Sequence, residues 1–183
     1  TILAQCGSQE TAYAVFRRLV QDWIRNNGSI QGDGWHPYTL SLRAVNWIEG
    51  IRFFQDKIDN DDEFLSLILR SLYRQAEILY RDREFDVRGN HLLENLRALI
   101  WLGMFFEGRS AKKWFAVSLR VLKVEVAEQV LADGGHFERS PGYHLVVMKD
   151  LVEIGWLLRR NSHQAPVWLT DAIGRMSEYL LLI

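Results

Sequence analysis

Apolar side chains recur with the spacing of helices along nearly the whole chain. Positions three and four residues apart share one face of a helix, and no stretch of the sequence shows the sustained alternation that indicates a strand. With capping residues and glycines as boundaries, the pattern predicts helices at about residues 8–26, 37–54, 61–80, 89–106, 110–131, 140–160 and 166–183. We expect Ser8, Ser110 and Ser140 to cap three of them. Short connections favour antiparallel neighbours, so the sequence predicts an all-α protein of about seven antiparallel helices.

The helix predicted at 89–106 has two unlike halves. Its second half is apolar almost all the way round, which is typical of a helix inside a bundle. Its first turn and a half carries Asn90, His91, Glu94 and Asn95, and His91 shares a face with both Glu94 and Asn95. Such a cluster either caps the helix, with Asn90 as the cap and Glu94 satisfying nearby amides, or belongs to a site. This stretch alone leaves both readings open.

Two other segments combine polar and aromatic residues at helix starts. The first is Trp35-His36-Pro37-Tyr38, followed by Ser41, Arg43, Asn46 and Trp47; the second runs from Asp133 to His144 and includes His136, Glu138, Arg139 and Tyr143. The three segments begin the second, fourth and sixth predicted helices. Because alternate helices of an up-and-down bundle start at the same end, we expect the segments to meet on one rim and form a cleft. For any one segment alone, capping and turn formation is the simpler explanation.

The residue types on this rim suit a carbohydrate. Trp35 and Tyr38 offer rings that can stack on sugar faces, whereas Trp47 is equally suited to the core. Arginine outnumbers lysine in the chain, and its planar guanidinium pairs well with uronate or sulfate groups. Many of these arginines are nevertheless expected to form ordinary ion pairs on helix surfaces.

Composition adds few constraints. The chain has 183 residues, 48% hydrophobic and 25% charged, which is enough for one domain with a sizeable core. The formal net charge of −1 does not indicate a nucleic-acid partner, and no apolar run is long enough to cross a membrane. The single cysteine, Cys6, excludes an intrachain disulfide. The His-x-x-Glu at 91–94 lacks a second histidine, and no Cys/His pair has zinc spacing, so we expect no metal or other cofactor.

Taken together, the three segments resemble the N-terminal helical domain of the heparinase II/III-like polysaccharide lyases, whose relatives include alginate lyases. The motifs are Asn-His-x-x-Glu-Asn at 90–95 and Gly-Gly-x-x-Glu-x-Ser-Pro-x-Tyr-His at 134–144, and the resemblance spans roughly 35–150. It implies an incomplete α/α toroid that is followed by a β-sandwich domain, and a periplasmic or extracellular location. The sequence has no initiator Met, ends in mid-pattern and lacks the β-sandwich. We therefore expect residues 1–183 to be a single helical domain truncated at its C-terminus.

The resemblance also implies a chemistry. Such enzymes remove the C5 proton of a uronic acid in an acidic polysaccharide and expel the 4-O-linked sugar by β-elimination. Asn90 and His91 match the family positions that bind the uronate carboxylate and stabilise the enolate-like intermediate, and Tyr143 matches the catalytic tyrosine. The supporting residues are expected to be Glu94, which would orient His91, with His144 and Arg139. The residues expected to bind substrate are Trp35, His36, Tyr38, Arg43, Arg88, His136 and Glu138.

Two other function classes remain open. The chain could be a helical carbohydrate-binding module without chemistry, or a helical interaction scaffold on which the polar rims are incidental. The joint presence of Asn90, His91 and Tyr143 favours the enzyme, since binding alone does not need that trio. Glycoside hydrolysis would need two opposed carboxylates, for which Glu94 and Glu138 are the only natural candidates.

Overall fold

A computed structural model describes residues 8–182, so Cys6 lies outside the described residues. Within that range all regular structure is helical apart from an isolated β-bridge between Val130 and His136, which confirms the all-α prediction. The helices are α1 (Gln9–Asn26), α2 (Pro37–Phe53), α3 (Gln55–Ile58), α4 (Asp62–Arg81), α5 (Gly89–Phe105), α6 (Arg109–Gln129), α7 (Pro141–Arg160) and α8 (Val167–Leu180). A 3₁₀ turn at Asp33–Trp35 precedes α2. Among the helices within residues 8–182, none has an apolar stretch that would reach across a bilayer.

The chain divides into two compact units at the Arg81–Asp82 bond. The first unit contains α1 to α4, and its core is rich in aromatic rings: Phe16 stacks on Phe54 with centroids 5.5 Å apart and meets Phe64 edge-on at 6.0 Å. Asp61, just before α4, accepts hydrogen bonds from the Tyr13 hydroxyl at 2.9 Å and from the Phe64 amide at 3.2 Å. Burial and this carboxylate together raise the pKa of Tyr13 to about 12.

The second unit is organised around α5, which packs against both α6 and α7. Every residue from 92 to 102 is buried, as the apolar pattern predicted. Helix α8 packs against α7 and α6. Beyond α8, Leu181 and Leu182 are 86% and 82% exposed, and Trp168 in the first turn of that helix is half-buried.

The helix boundaries confirm two of the predicted caps and correct two others. Ser8 accepts from the Thr11 amide and Ser140 from the Tyr143 amide, as predicted. Ser110 does not cap α6, because that helix already begins at Arg109 with Gly108 in the cap position. Asn90 is not a cap either, because α5 begins one residue earlier, at Gly89. The polar start of α5 therefore needs another explanation.

Candidate functional site

Two of the three predicted polar segments meet in the second unit. Gln129, the last residue of α6, joins them: its amide nitrogen donates to the Gly89 carbonyl at 3.3 Å, and its amide oxygen lies 3.2 Å from Nε2 of His136. A Cβ at Gly89 would lie only 2.9 Å from a carboxylate oxygen of Glu138. The start of α5 and the loop that leads into α7 are thus in direct contact, as helix parity predicted.

The backbone at this junction is strained. Arg88 and Gly89 have φ angles of 58° and 55°, and Arg139 in the facing loop has a φ of 50°. Positive φ is unfavourable for residues with a side chain, and such residues concentrate at functional sites. At Gly89 the positive φ favours glycine, whereas a Cβ there would only require the exposed end of the Glu138 side chain to move.

His91, in the first turn of α5, is held by a residue that the sequence analysis missed. Its Nδ1 lies 2.9 Å from Oε1 of Glu84, a residue of the loop before the helix. The second oxygen of Glu84 accepts from the amide nitrogen of Asn95 at 3.0 Å, and the Glu84 backbone amide donates to the Asn95 side-chain oxygen at 2.9 Å. The His91 side chain is 36% exposed, whereas that of Glu84 is only 5% exposed.

The prediction that Glu94 orients His91 is wrong. Glu94 points toward α7 and pairs with Arg97 at 2.5 Å, one turn along the same helix. Arg97 also pairs with Glu153 and lies 3.5 Å from Asp150, both on α7. Burial and the charge of Glu94 raise the pKa of Asp150 to about 7, even though Arg97 opposes the shift. Glu94 therefore belongs to a buried ionic cluster rather than to the rim.

Both histidines of the α7 segment are buried, which contradicts the substrate-binding role predicted for His136. His136 was expected to bind substrate, but it is 1% exposed, and burial, together with the neighbouring His144, lowers its pKa to about 4. His144 is also 1% exposed. Its Nδ1 accepts from the His136 amide at 3.3 Å and its Nε2 lies 3.0 Å from the Met176 carbonyl, so both ring nitrogens contact the protein's own backbone. These side chains support the loop from inside.

Helix α8 supports the same loop from the other side. Gly134 has a φ of 85°, and a Cβ there would collide with the backbone carbonyl of Arg175. The Arg175 guanidinium donates to the Leu131 carbonyl at 2.8 Å, and the Tyr179 ring stacks on His144 with centroids 5.3 Å apart. The start of α7, and with it Tyr143, is fixed by these contacts.

The exposed side chains of the junction differ in whether they are already engaged in ion pairs or are available to a ligand. Tyr143 is 46% exposed at the third position of α7. Arg88 is already paired with Glu125 at 3.1 Å and with Glu128, so its predicted contact with substrate would have to replace these partners. Arg139 is 69% exposed and only loosely paired with Asp133, at 3.8 Å, and Glu138 is exposed.

The first polar segment lies in the other unit, and most of it is structural. Trp35 is only 7% exposed, which contradicts its predicted role in stacking on sugars. The Arg43 guanidinium lies 3.8 Å from the ring centroid of Trp23 and donates to the Gly34 carbonyl at 2.7 Å; burial lowers its pKa to about 10. Arg43 thus holds the fold together rather than facing a ligand.

His36 remains exposed and Tyr38 half-exposed in that segment. Its meeting with the other two segments stays a prediction. Among residues 8–182, no three His, Cys, Asp or Glu side chains converge as metal ligands would.

Known proteins resemble this chain over most of its length. It is 27% identical to the heparin-sulfate lyase of Bacteroides thetaiotaomicron over 170 residues, which is 89% of this chain and 24% of that protein. It is 30% identical to the heparin-sulfate lyase of Pedobacter heparinus over 133 residues, 69% of this chain and 20% of that protein. It is also 27% identical to the FtsZ-localized protein C of Caulobacter vibrioides over 160 residues, 87% and 27% of the two chains. The chain thus spans about a quarter of the length of these relatives.

The fold has a solved counterpart. The crystal structure of heparinase III matches 96% of this chain and 28% of its own, with a TM-score of 0.84 and 24% sequence identity, a likeness that shows the fold alone. The profile of the family described as heparinase II/III N-terminus matches residues 7–183. With its helical fold and the joined segments at the starts of α5 and α7, the chain belongs to the heparinase II/III N-terminal family.

Proposed function

We propose that this chain is the substrate-binding and partly catalytic domain of a polysaccharide lyase that cleaves uronic-acid-containing glycans by β-elimination. One observation carries the proposal: the first turn of α5, with Asn90 and the half-exposed His91, lies against the loop that leads to the exposed Tyr143. Family membership and the similarity to heparin-sulfate lyases support the same reaction class.

The reaction needs three things from the protein. The C5 proton of a uronate is weakly acidic while the adjacent carboxylate is charged, so the carboxylate and the enolate-like intermediate must be stabilised. A base must take the C5 proton. An acid must protonate the 4-oxygen as its bond to C4 breaks. The electron pair of the C5–H bond then forms the C4–C5 double bond, and the pair of the C4–O bond leaves with the oxygen.

The three predicted catalytic residues fit these needs. The Asn90 amide can donate to the carboxylate, and His91 can donate from Nε2 when it is protonated, because its Nδ1 is engaged by Glu84. The Tyr143 hydroxyl serves as the general acid and, with a basic group such as Arg139 nearby, can also serve as the base. Residues 89–91 lie at the positive end of the α5 dipole, and α5 has no side-chain cap, so the backbone there also favours an anionic group.

The substrate class follows from the same groups. A uronate carboxylate is common to heparan-like and alginate-like polymers, whereas sulfates occur only in the former. The named lyase relatives are heparin-sulfate lyases, which favours a heparin- or heparan-like substrate for this chain. The acidic side chains around the junction, Glu125, Glu128 and Glu138, argue that this unit contacts carboxylates at a few positions rather than a dense run of sulfates.

Incubation of the full-length protein with heparan sulfate, unsulfated heparan precursor and alginate tests the proposal. Each elimination creates an unsaturated uronate that absorbs in the ultraviolet. We expect absorbance to rise with a heparan-like polymer, and chain-length analysis of the products would separate internal from terminal cleavage. A folded protein that binds these polymers but yields no unsaturated product would instead be a carbohydrate-binding module.

One observation favours a second candidate function. The FtsZ-localized protein C of Caulobacter vibrioides has the same 27% identity to this chain as the Bacteroides thetaiotaomicron lyase, over 160 residues instead of 170, and its name describes a location rather than a reaction. An interaction scaffold would neither bind nor cleave the polymers in the same panel, and co-purification would recover a protein partner. The joined Asn90, His91 and Tyr143 segments make the lyase the better supported proposal.

A further inference from the structure

We propose that Glu84 is a positioning residue, which fixes the orientation and the tautomer of His91 so that Nε2 is the ring nitrogen presented to substrate. This inference rests on the proposed function of His91. It assigns a role to a buried carboxylate that lies outside the motif of the helix and to Asn95, the last residue of that motif.

The geometry makes Glu84 a rigid support. The residue is 4% exposed, and its two carboxylate oxygens have different partners, His91 Nδ1 at 2.9 Å and the Asn95 amide nitrogen at 3.0 Å. Asn95 also accepts the backbone N–H of Glu84 at 2.9 Å, so one side chain of α5 grips both the backbone and the carboxylate of the loop. A buried carboxylate is costly unless its oxygens are satisfied, and here both are.

The hydrogen-bond pattern determines the tautomer of His91. An ionised carboxylate can only accept, so Nδ1 of His91 must carry the proton in this contact. The neutral ring then has its lone pair on Nε2, and the protonated ring has an N–H there. Rotating or flipping the ring would lose the contact with Glu84. Orientation of a catalytic imidazole by a buried carboxylate on its other nitrogen is the arrangement that hydrolytic triads also use.

A double-mutant cycle in the full-length protein tests the inference. We expect Glu84→Gln to lower kcat/KM on heparan sulfate by about 100-fold, the usual scale for a displaced catalytic group. In a His91→Ala background the same change should cost less than about two-fold, because its effect passes through His91. Asp150→Asn is the matched control: it alters a carboxylate that is 2% exposed and belongs to the Arg97 cluster, and its effect should be the same with and without His91.

A swap variant sharpens the test. In Glu84→Gln alone, an amide nitrogen must face either His91 or the amide nitrogen of Asn95. Adding Asn95→Asp restores an acceptor for that nitrogen, lets the glutamine oxygen accept from His91 Nδ1, and keeps the buried charge. We expect the double variant to recover at least about 10-fold of the lost kcat/KM. If Glu84 acted in folding alone, Glu84→Gln would lower the melting temperature and the activity. Each loss would then be as large in the parent as in the His91→Ala background.

The parent protein supplies a test that needs no activity. With ¹⁵N-labelled histidine, the His91 signals, assigned by their absence from His91→Ala, should show the Nδ1–H tautomer when the ring is neutral. The opposite tautomer, full additivity of Glu84→Gln and His91→Ala, or no recovery in a folded swap variant would each overturn the role of Glu84. Parental turnover by His91→Ala would instead overturn the proposed function of His91, and the inference with it.

Discussion

Two polar clusters lie on the same helix, less than two turns apart, and they are built differently. The His91 cluster at the start of α5 uses one carboxylate from a loop and leaves the imidazole 36% exposed. The Arg97 cluster sets one guanidinium, 5% exposed, against Glu94, Asp150 and Glu153. The first can meet a ligand, whereas the second is occupied entirely by the protein's own charges.

The comparison shows that one short motif can serve two networks. His91 and Asn95 lie about 40° apart around the helix and both reach Glu84, whereas Glu94 lies about 60° to the other side of His91 and faces α7. Proximity in sequence therefore does not make Glu94 a partner of His91. We expect changes at the rim to affect turnover and changes in the ionic cluster to affect stability, and the following predictions test that division.

Tyr143→Phe should have the largest effect. It removes the hydroxyl and keeps the ring of a residue that is 46% exposed, so we expect turnover to fall by about 10²–10⁴-fold, with polymer affinity within a few-fold and an unchanged melting temperature. Rates with heparan sulfate and thermal melts on the same samples provide the measurement. Tyr179→Phe, which removes a hydroxyl on α8, is the control and should keep the parental rate. Parental turnover by Tyr143→Phe would remove the tyrosine from the mechanism.

Arg97→Met should be the most damaging change to stability. It leaves Glu94, Asp150 and Glu153 without their common cation, and breaking a buried ionic cluster in this way typically costs about 3–5 kcal/mol. Urea unfolding would measure the loss. The rate per folded molecule should stay near that of the parent. A large drop in rate with parental stability would mean that the ionic cluster, and not only the rim, belongs to the active site.

Asn90→Ala distinguishes catalysis from capping. If Asn90 stabilises the intermediate as an oxyanion-hole donor does, turnover should fall by about 10²–10³-fold. Because α5 begins at Gly89, Asn90 is not its cap, and we expect little change in the free energy of unfolding. A true cap would instead lose about 1 kcal/mol and keep the activity per molecule. Thermal melts and rates measured together decide between the two.

Asp150→Asn should change the pH dependence of stability rather than activity. Because the folded-state pKa of Asp150 is raised from 3.8 to about 7, the native state holds an extra proton between these values and the parent loses stability as pH rises through them. The variant lacks this loss, so its melting temperature relative to the parent should increase from pH 4 to pH 7. The variant must be compared with the parent at each pH, because His136, whose pKa is lowered to about 4, makes the stability of both proteins rise with pH. A difference that does not vary with pH would show that Asp150 is ionised throughout.

Local patterns predicted what depends on local spacing. The helical period predicted the seven longer helices. Helix parity predicted that the segments containing Gly89 and Glu138 would meet. Glu84 was missed because it lies seven residues before His91 in an irregular loop, where no period relates the two. Gln129 was missed for the same reason: its position at the end of α6 becomes informative only when the loop folds back onto it.

Burial of polar and aromatic side chains was also beyond the sequence. Trp35 and Arg43 have the composition of a sugar-binding rim, but the guanidinium stacks on Trp23 and the indole nitrogen of Trp35 donates to the Asn27 carbonyl at 3.1 Å, so both are consumed by the fold. Tryptophan and arginine can either bind a sugar at the surface or pack inside the fold. Only the three-dimensional structure shows which role they have here.

Because α8 holds the loop before α7 in place, any shortened version of this protein must keep α8. The backbone approach at Gly134, the Arg175 bond to Leu131 and the Met176 carbonyl at His144 all come from one helix that carries no predicted catalytic residue. A chain that ended after α7 would keep every residue of the motifs. It would lose the contacts that fix the position of Tyr143 at the start of α7. Transferring this site to another protein would therefore require the supporting helix α8 as well as the residues of the rim.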